Sequence, residues 1–272
     1  MTNTIAPNTV HDDDLLTLCA KLDTASADMI LADLPYGTTA CSWDEIIPLE
    51  PMWEAFRRVI KPRGAIVLTA SQPFTSRLVM SWPRGFRYQW VWEKTPQTHF
   101  LDVSWRPLGG HEDVLVFGKK TPSYTPQMEK GSPYKTKRSA NKDDVYLRGK
   151  LKPSYSENYG TRHPTTIIRV SNANHSGKLH PTQKPVALFE YLIKTYTQPG
   201  ELVLDPTAGS GTTAIAARNT GRQFIVGDNG TSERWGMTWK QVIEARLAGR
   251  WASERAKAEG KPYTIPMLAR NT

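Results

Sequence analysis

"VLDPTAGSGTT", residues 203–213, runs from aliphatic residues to a carboxylate, then to two glycines around a serine and a pair of threonines. The aliphatic run predicts a strand over Leu202–Asp205. Gly209 and Gly211 permit a tight turn, and Thr212-Thr213 begin a helix. A loop of this kind, here Asp205-Pro206-Thr207-Ala208-Gly209-Ser210-Gly211-Thr212, lets backbone N–H groups approach a ligand. An ordinary strand–turn–helix reads the same way. The full GxGxxG dinucleotide signature is absent, because Thr213 and Ala214 stand where its third glycine is needed. "QFIVGD", residues 223–228, then closes the next predicted strand with Asp228, a position suited to holding both hydroxyls of a ribose. Together they favour a nucleoside-bearing ligand over a free phosphate.

Further upstream, "MILADLPYG" (29–37) ends another apolar run in Asp33, Leu34, Pro35 and Tyr36: a carboxylate, a stiff turn and an aromatic ring. Strands are expected at Asn8–His11, Asp28–Asp33, Ala65–Ala70, Tyr88–Glu93, Asp113–Phe117, Leu202–Asp205 and Gln223–Asp228. Helices are expected at Pro51–Ile60, stopped by Lys61-Pro62-Arg63-Gly64, and at Pro185–Tyr196, Thr212–Arg218 and Ser232–Leu247, the last being the longest. The alternation predicts an α/β fold, a mostly parallel sheet covered by helices. Trp90-Val91-Trp92 and Val114–Phe117 are expected to pair as an antiparallel hairpin at one edge. A chain of 272 residues suffices for one large domain, or for a core with an insertion.

The formal charge of +9 favours a polyanionic partner, and its placement is uneven. Lys119 to Arg162 hold eleven Lys or Arg against four Asp or Glu. Residues 119–178 carry little aliphatic periodicity, as a disordered linker would. Yet Tyr124, Tyr134, Tyr146, Tyr155 and Tyr159 recur within the basic run. Charge with interleaved aromatic faces suits a surface that neutralises phosphates and stacks bases. Two cysteines make no disulfide framework or CxxC knuckle. No apolar run reaches membrane-spanning length, and the first residues lack a signal-peptide pattern, so a cytoplasmic protein without membrane association is expected.

Several motifs together resemble the β group of S-adenosylmethionine-dependent DNA amino-methyltransferases. "ADLPYG" is similar to their DPPY target-base motif, "LDPTAGSGTT" to their DPFxGxGTT cofactor loop, and "HPTQKPVALFEYLI" (180–193) to their HPxQKP segment. "RVIKPRGAIVLTA" and "HEDVLVFGK" match secondary landmarks. The target motif precedes the cofactor loop with a variable region between, as in that group. The resemblance covers roughly residues 8–118 and 178–248. It implies a Rossmann-like methyltransferase fold, with a mostly parallel seven-stranded sheet, an antiparallel edge hairpin and an inserted DNA-recognition region. The expected division is a catalytic domain in two parts, 1–118 and 179–248, an inserted target-recognition region at 119–178, and a basic tail at 249–272.

An exocyclic amino group is a poor nucleophile, because its lone pair is delocalised into the ring. The resemblance assigns Asp33 as acceptor for one amino hydrogen and the Leu34 carbonyl for the other, with Pro35 stiffening the bend and Tyr36 stacking on a flipped base. In-line attack on the sulfonium methyl then needs positioning and charge arrangement, without a covalent intermediate. Cytosine-C5 transfer needs a cysteine nucleophile, usually in a Pro-Cys pair, whereas Cys19 and Cys41 stand in other contexts and read as small buried residues. Besides the loop and Asp228, Lys184 is expected to pair with the methionine carboxylate of S-adenosylmethionine. Asp13 resembles the family's GDxL cofactor element or, equally, a helix cap. His180 reads as structural, Trp43 as a wall of the target pocket, and Trp90 and Trp92 as core. Leu34 and Thr207 depart from the family's proline and phenylalanine.

The resulting expectation is methyl transfer to adenine N6 in double-stranded DNA. Cytosine N4, an RNA N-methyltransferase and an inactive DNA-binding relative are the alternatives. A homodimer and a separate restriction endonuclease are further partners that the resemblance brings.

Overall fold

Alternation along one buried strand organises the molecule. In β2 (Ala27–Asp33), Met29 and Leu31 join one apolar layer while Ile30 and Ala32 join the other. Both faces of the strand are therefore covered, as a parallel sheet between helices requires. The coordinates, a computed structural model, describe residues 5–38, 44–139, 141–143, 149–172, 179–180 and 182–249.

The central strands are β1 (Thr9–His11), β2, β3 (Ile60–Ala70), β4 (Phe86–Thr98), β5 (Gly109–Phe117), β6 (Ile167–Arg169), β7 (Leu202–Asp205) and β8 (Gln223–Gly227). They form one eight-stranded sheet in the order β1-β8-β7-β2-β3-β5-β4-β6. Strands β1, β8, β7, β2 and β3 run parallel, β5 is antiparallel to both β3 and β4, and β6 is parallel to β4. Trp90 pairs with Val114, as the hairpin expectation required. The sheet has eight strands rather than seven because Ile167–Arg169 adds beyond β4, with Ile168 buried.

Helices α1 (Leu15–Ala20), α2 (Leu49–Val59) and α3 (Phe74–Ser81) cover one face. On α2, Met52, Trp53, Phe56 and Val59 make the buried stripe. Helices α4 (Val186–Tyr196), α5 (Thr212–Asn219) and α6 (Trp239–Leu247) supply the opposite layer through Leu188, Leu192, Ala214, Ala217 and Ile243. Two expectations are corrected. Lys61–Gly64 do not separate helix from strand, because β3 begins at Ile60. Nor is the last helix the longest: α6 has nine residues against eleven in α2 and α4, because Thr231–Ser232 and Met237–Thr238 pair first as a small hairpin. Thr238 then starts α6 with a reciprocal cap involving Gln241.

Residues 126–165 form a second compact unit. Within it Tyr134–Arg138 pairs antiparallel with Ser154–Asn158, Asn141–Asp143 with Gly149–Leu151, and Glu129–Lys130 with Thr161–Arg162. No helix among the described residues is long and apolar enough to cross a membrane. Cys41, Trp43, Tyr146 and the tail from residue 250 lie outside the described residues.

Candidate active site

The C-terminal ends of β2, β7 and β8 open onto one cavity of about 1130 Å³, at the place where α/β sheets bind ligands. Single-ligand pockets span roughly 300–1,000 Å³, so this volume suits more than one bound group. Asp33, Leu34, Pro35 and Tyr36 line it together with Asp205, Pro206, Thr207, Ala208, Gly209, Ser210, Thr212, Asp228 and Lys184. The two loops touch directly: the Thr207 hydroxyl donates to the Asp33 carbonyl at 3.3 Å.

Asp33 is tightly coordinated. Its Oδ1 accepts from the Tyr36 hydroxyl at 2.9 Å and from the Thr69 hydroxyl, while Oδ2 accepts from Lys184 Nζ at 2.8 Å. A carboxylate oxygen offers two acceptor directions, so among the described residues one remains, on Oδ2. Lys184 is buried and also lies 3.3 Å from Glu112 Oε2, and Glu112 Oε1 accepts from Lys94 at 2.7 Å. Charges therefore alternate along Asp33, Lys184, Glu112 and Lys94. Burial works against the Lys184 charge, but Asp33, Tyr36 and Glu112 outweigh it and hold the ammonium well above the ordinary lysine range. For Glu112, burial pushes the carboxyl up, yet Lys184 and Lys94 leave it below its usual value.

Leu34 stands where the resemblance expects a proline, and its side chain is buried in the layer of α1, α2 and α3. Stiffness at this bend comes from Asp44 instead. Its carboxylate accepts from the backbone N–H groups of Tyr36 at 2.7 Å, Gly37 at 2.9 Å and Thr38 at 2.9 Å. The Tyr36 ring stacks on Phe74 with centroids 5.5 Å apart, and Lys184 Nζ sits 5.4 Å from its centre. Burial foremost, with the Asp33 charge beside it, raises the Tyr36 hydroxyl pKa well above its ordinary value.

In the glycine loop, buried Asp205 accepts from the Thr207 N–H at 3.0 Å and from the Thr213 hydroxyl. Burial lifts its carboxyl to about 7 against these bonds. Asp228 holds Gly209 N–H and Gly230 N–H, each at 2.8 Å, and burial raises its pKa too. Gly211 has φ +78, and a Cβ there would lie 2.7 Å from Ile243 Cγ1. Gly209 has φ +48, with open space where a Cβ would project. One glycine therefore packs against α6, while the other leaves room beside the loop.

Two expected positions fall elsewhere. Asp13 is not among the cavity residues and pairs with Lys21 at 2.6 Å. Its neighbour Asp14 lines the cavity and caps α1, accepting from Leu16 N–H at 2.9 Å and Thr17 N–H at 3.0 Å, so the cap is Asp14 rather than Asp13. Gly211 does not line the cavity, being the turn residue before α5. Lys184, expected toward the cofactor, is bound to the target-motif carboxylate. Trp90 and Trp92 are buried, and Trp92 also reaches the cavity. His180 lines the cavity, its ring tilted against Trp239 with centroids 5.0 Å apart. Sequence reasoning missed Asp44, Thr69, Lys94 and Glu112, which act through tertiary contacts and carry no local spacing signal.

With this geometry in hand, the family model described as DNA methylase, covering N6 and N4 methylases, matches residues 27–232, and the chain belongs to that family. It is 28% identical over 244 residues to the type II methyltransferase M.BglII of Bacillus subtilis, covering 80% of this chain and 64% of that protein. It is 29% identical over 221 residues to M.HpaI of Haemophilus parainfluenzae, covering 75% and 65%. The chain thus spans just under two thirds of the length of these curated relatives. Among solved structures, the M1.HpyAVI complex with SAM superposes with TM-score 0.58 at 24% identity, covering 88% of this chain and 99% of that one. The cytosine-N4-specific PvuII DNA methyltransferase gives 0.58 at 15% identity, covering 96% and 95%. The fold is that of these DNA methyltransferases.

Proposed function

We propose that this chain transfers a methyl group from S-adenosylmethionine to adenine N6 in duplex DNA. The observation that carries the reading is the meeting of Asp33 and the glycine loop in one cavity, bridged by Thr207 and Asp33 at 3.3 Å. The residues fit the cofactor: Asp228 is a half-buried carboxylate for a ribose, Gly209 leaves open space, and the volume accommodates a second, flipped base. When bound, the cofactor supplies an electrophilic methyl on a sulfonium.

The chain's own residues prepare the nucleophile. Asp33 Oδ2 takes one amino hydrogen beside Lys184, and the Leu34 carbonyl takes the other. Localising the lone pair on nitrogen in this way is positioning and electrostatic catalysis. Lys184 donates to Asp33 Oδ2 at 2.8 Å and holds that oxygen in place as an acceptor. Asp44 fixes the backbone that aims both oxygens. The Thr207 hydroxyl occupies the place of the family's phenylalanine and links the two loops, which argues for a working site over an inactive relative.

Asp as the first letter of the target motif favours adenine over cytosine N4, on the family resemblance. Residues 126–165 carry the DNA-contacting role, with nine Lys or Arg against four Asp or Glu. The type II relatives make a separate restriction endonuclease the partner to seek, and a homodimer remains part of this reading. Incubation with labelled cofactor and either duplex DNA or structured RNA, followed by nucleoside analysis, tests the proposal. N6-methyladenine in DNA is expected. N4-methylcytosine would change the target base, and labelled RNA alone would change the polymer.

A further inference from the structure

The second unit is built as a ribbon. The pairs Tyr134–Asn158, Arg138–Ser154, Asn141–Leu151 and Asp143–Gly149 are all antiparallel and share one register. At about 3.3 Å per residue, the five paired residues of Tyr134–Arg138 make the ribbon roughly 16 Å long. A two-stranded ribbon of this kind fits the major groove of B-DNA, about 12 Å wide, and not the deep narrow groove of A-form RNA.

Its two faces differ in chemistry. Cross-strand partners share a face, so Tyr134, Thr136 and Arg138 lie with Asn158, Ser156 and Ser154. Thr136 and Ser156 exchange a hydroxyl hydrogen bond at 2.7 Å, and the Arg162 guanidinium covers the Tyr134 ring at 4.4 Å. This face carries hydroxyls and a guanidinium and no carboxylate within the paired segment. The opposite face holds Lys135, Lys137, Tyr155 and Glu157. There Glu157 pairs with Lys135 at 2.8 Å and accepts from the Tyr155 hydroxyl. A carboxylate pressed into a groove walled by phosphates is repelled, so charge selects the other face for the bases.

We infer that the ribbon Tyr134–Arg138/Ser154–Asn158 enters the major groove of duplex DNA with Thr136, Arg138 and Ser156 toward the base edges, and that these side chains set the methylated sequence. Lys137, on the opposite face, contacts phosphate. Arg reads guanine by a bidentate pair, and Ser or Thr hydroxyls serve as donors or acceptors. The inference rests on the proposed DNA-methylating function and adds the residues that choose the site.

The test expresses the full chain and its Arg138→Ala, Thr136→Val and Lys137→Ala variants in a methylation-free host, and sequences the modified positions. Binding to one methylatable duplex is followed against salt, and S-adenosylmethionine affinity checks that each variant folds. Arg138→Ala and Thr136→Val are expected to relax one or two positions of the motif, with discrimination falling roughly 10- to 100-fold. Lys137→Ala should keep the motif and reduce the salt slope by about one. An unchanged motif in both face variants, or a motif altered by Lys137→Ala, overturns the inference while the enzymatic reading stands. A parent protein that binds cofactor yet methylates no duplex overturns both.

Discussion

Asp33 accepts from Tyr36, Thr69 and Lys184, which leaves one acceptor direction for the proposed amino group. Replacing it with Ala should reduce methyl transfer by about 10³-fold or more, the scale of losing a principal transition-state contact, while S-adenosylmethionine affinity stays within a few-fold. Equal losses in both, measured by single turnover and calorimetry, would contradict the assignment. Asp44 is a positioning residue. Asp44→Asn can accept through only one oxygen where the carboxylate uses both, so kcat should fall roughly 10- to 100-fold with cofactor KM unchanged. A rise in cofactor KM alone would place Asp44 in binding. Asp205 gives a pH signature. Its carboxyl sits at about 7 when folded, against 3.8 as the reference value. Its contribution to stability is therefore fully present below about pH 4 and lost as pH rises to about 7, by an amount on the order of 4 kcal/mol. Asp205→Asn should remove that decline in thermal melts between about pH 4 and 7. A melt that keeps the parent's pH dependence would contradict the burial argument.

Among the elements, the turn before α5 is tightly constrained. Gly211→Ala puts a Cβ against Ile243 at φ +78, and should cost about 1–3 kcal/mol of stability with loss of cofactor binding. A melting temperature equal to the parent's would show that α6 yields. This turn was legible because two glycines after a strand have few other readings. So were the central strands and α4, whose apolar runs are long and uninterrupted. The start of α6 was not. Periodicity from Ser232 looks helical, but Gly236 at φ +59 closes a two-strand turn that no helix tolerates. Strand β6 was hidden because only Ile168 of its three residues is buried. Lys61–Gly64 read as a stop, since proline and glycine punctuate most chains, although the register shift between the Ala27–Ile60 and Met29–Ala65 pairs accommodates them. Asp44 could not be read at all. Its importance lies in three N–H groups that only the folded bend turns toward it.

On the scale of the whole molecule, the chain divides into two compact units. The unit at 126–165 has its own antiparallel pairing, and the sheet with its two apolar layers lies in the remainder. Removing residues 126–165 behind a short flexible linker should leave a folded protein that binds S-adenosylmethionine within a few-fold of the parent but loses DNA affinity and most of its salt dependence. Retained salt-sensitive DNA binding would move the contact surface to the core. Mass analysis of nucleosides from DNA modified by the parent chain in a methylation-free host weighs the central claim most directly. N6-methyladenine, abolished by Asp33→Ala, is the predicted result. Methyl carried on carbon, as 5-methylcytosine, or an unmodified product from a protein that binds the cofactor, would contradict amino-group transfer at this site.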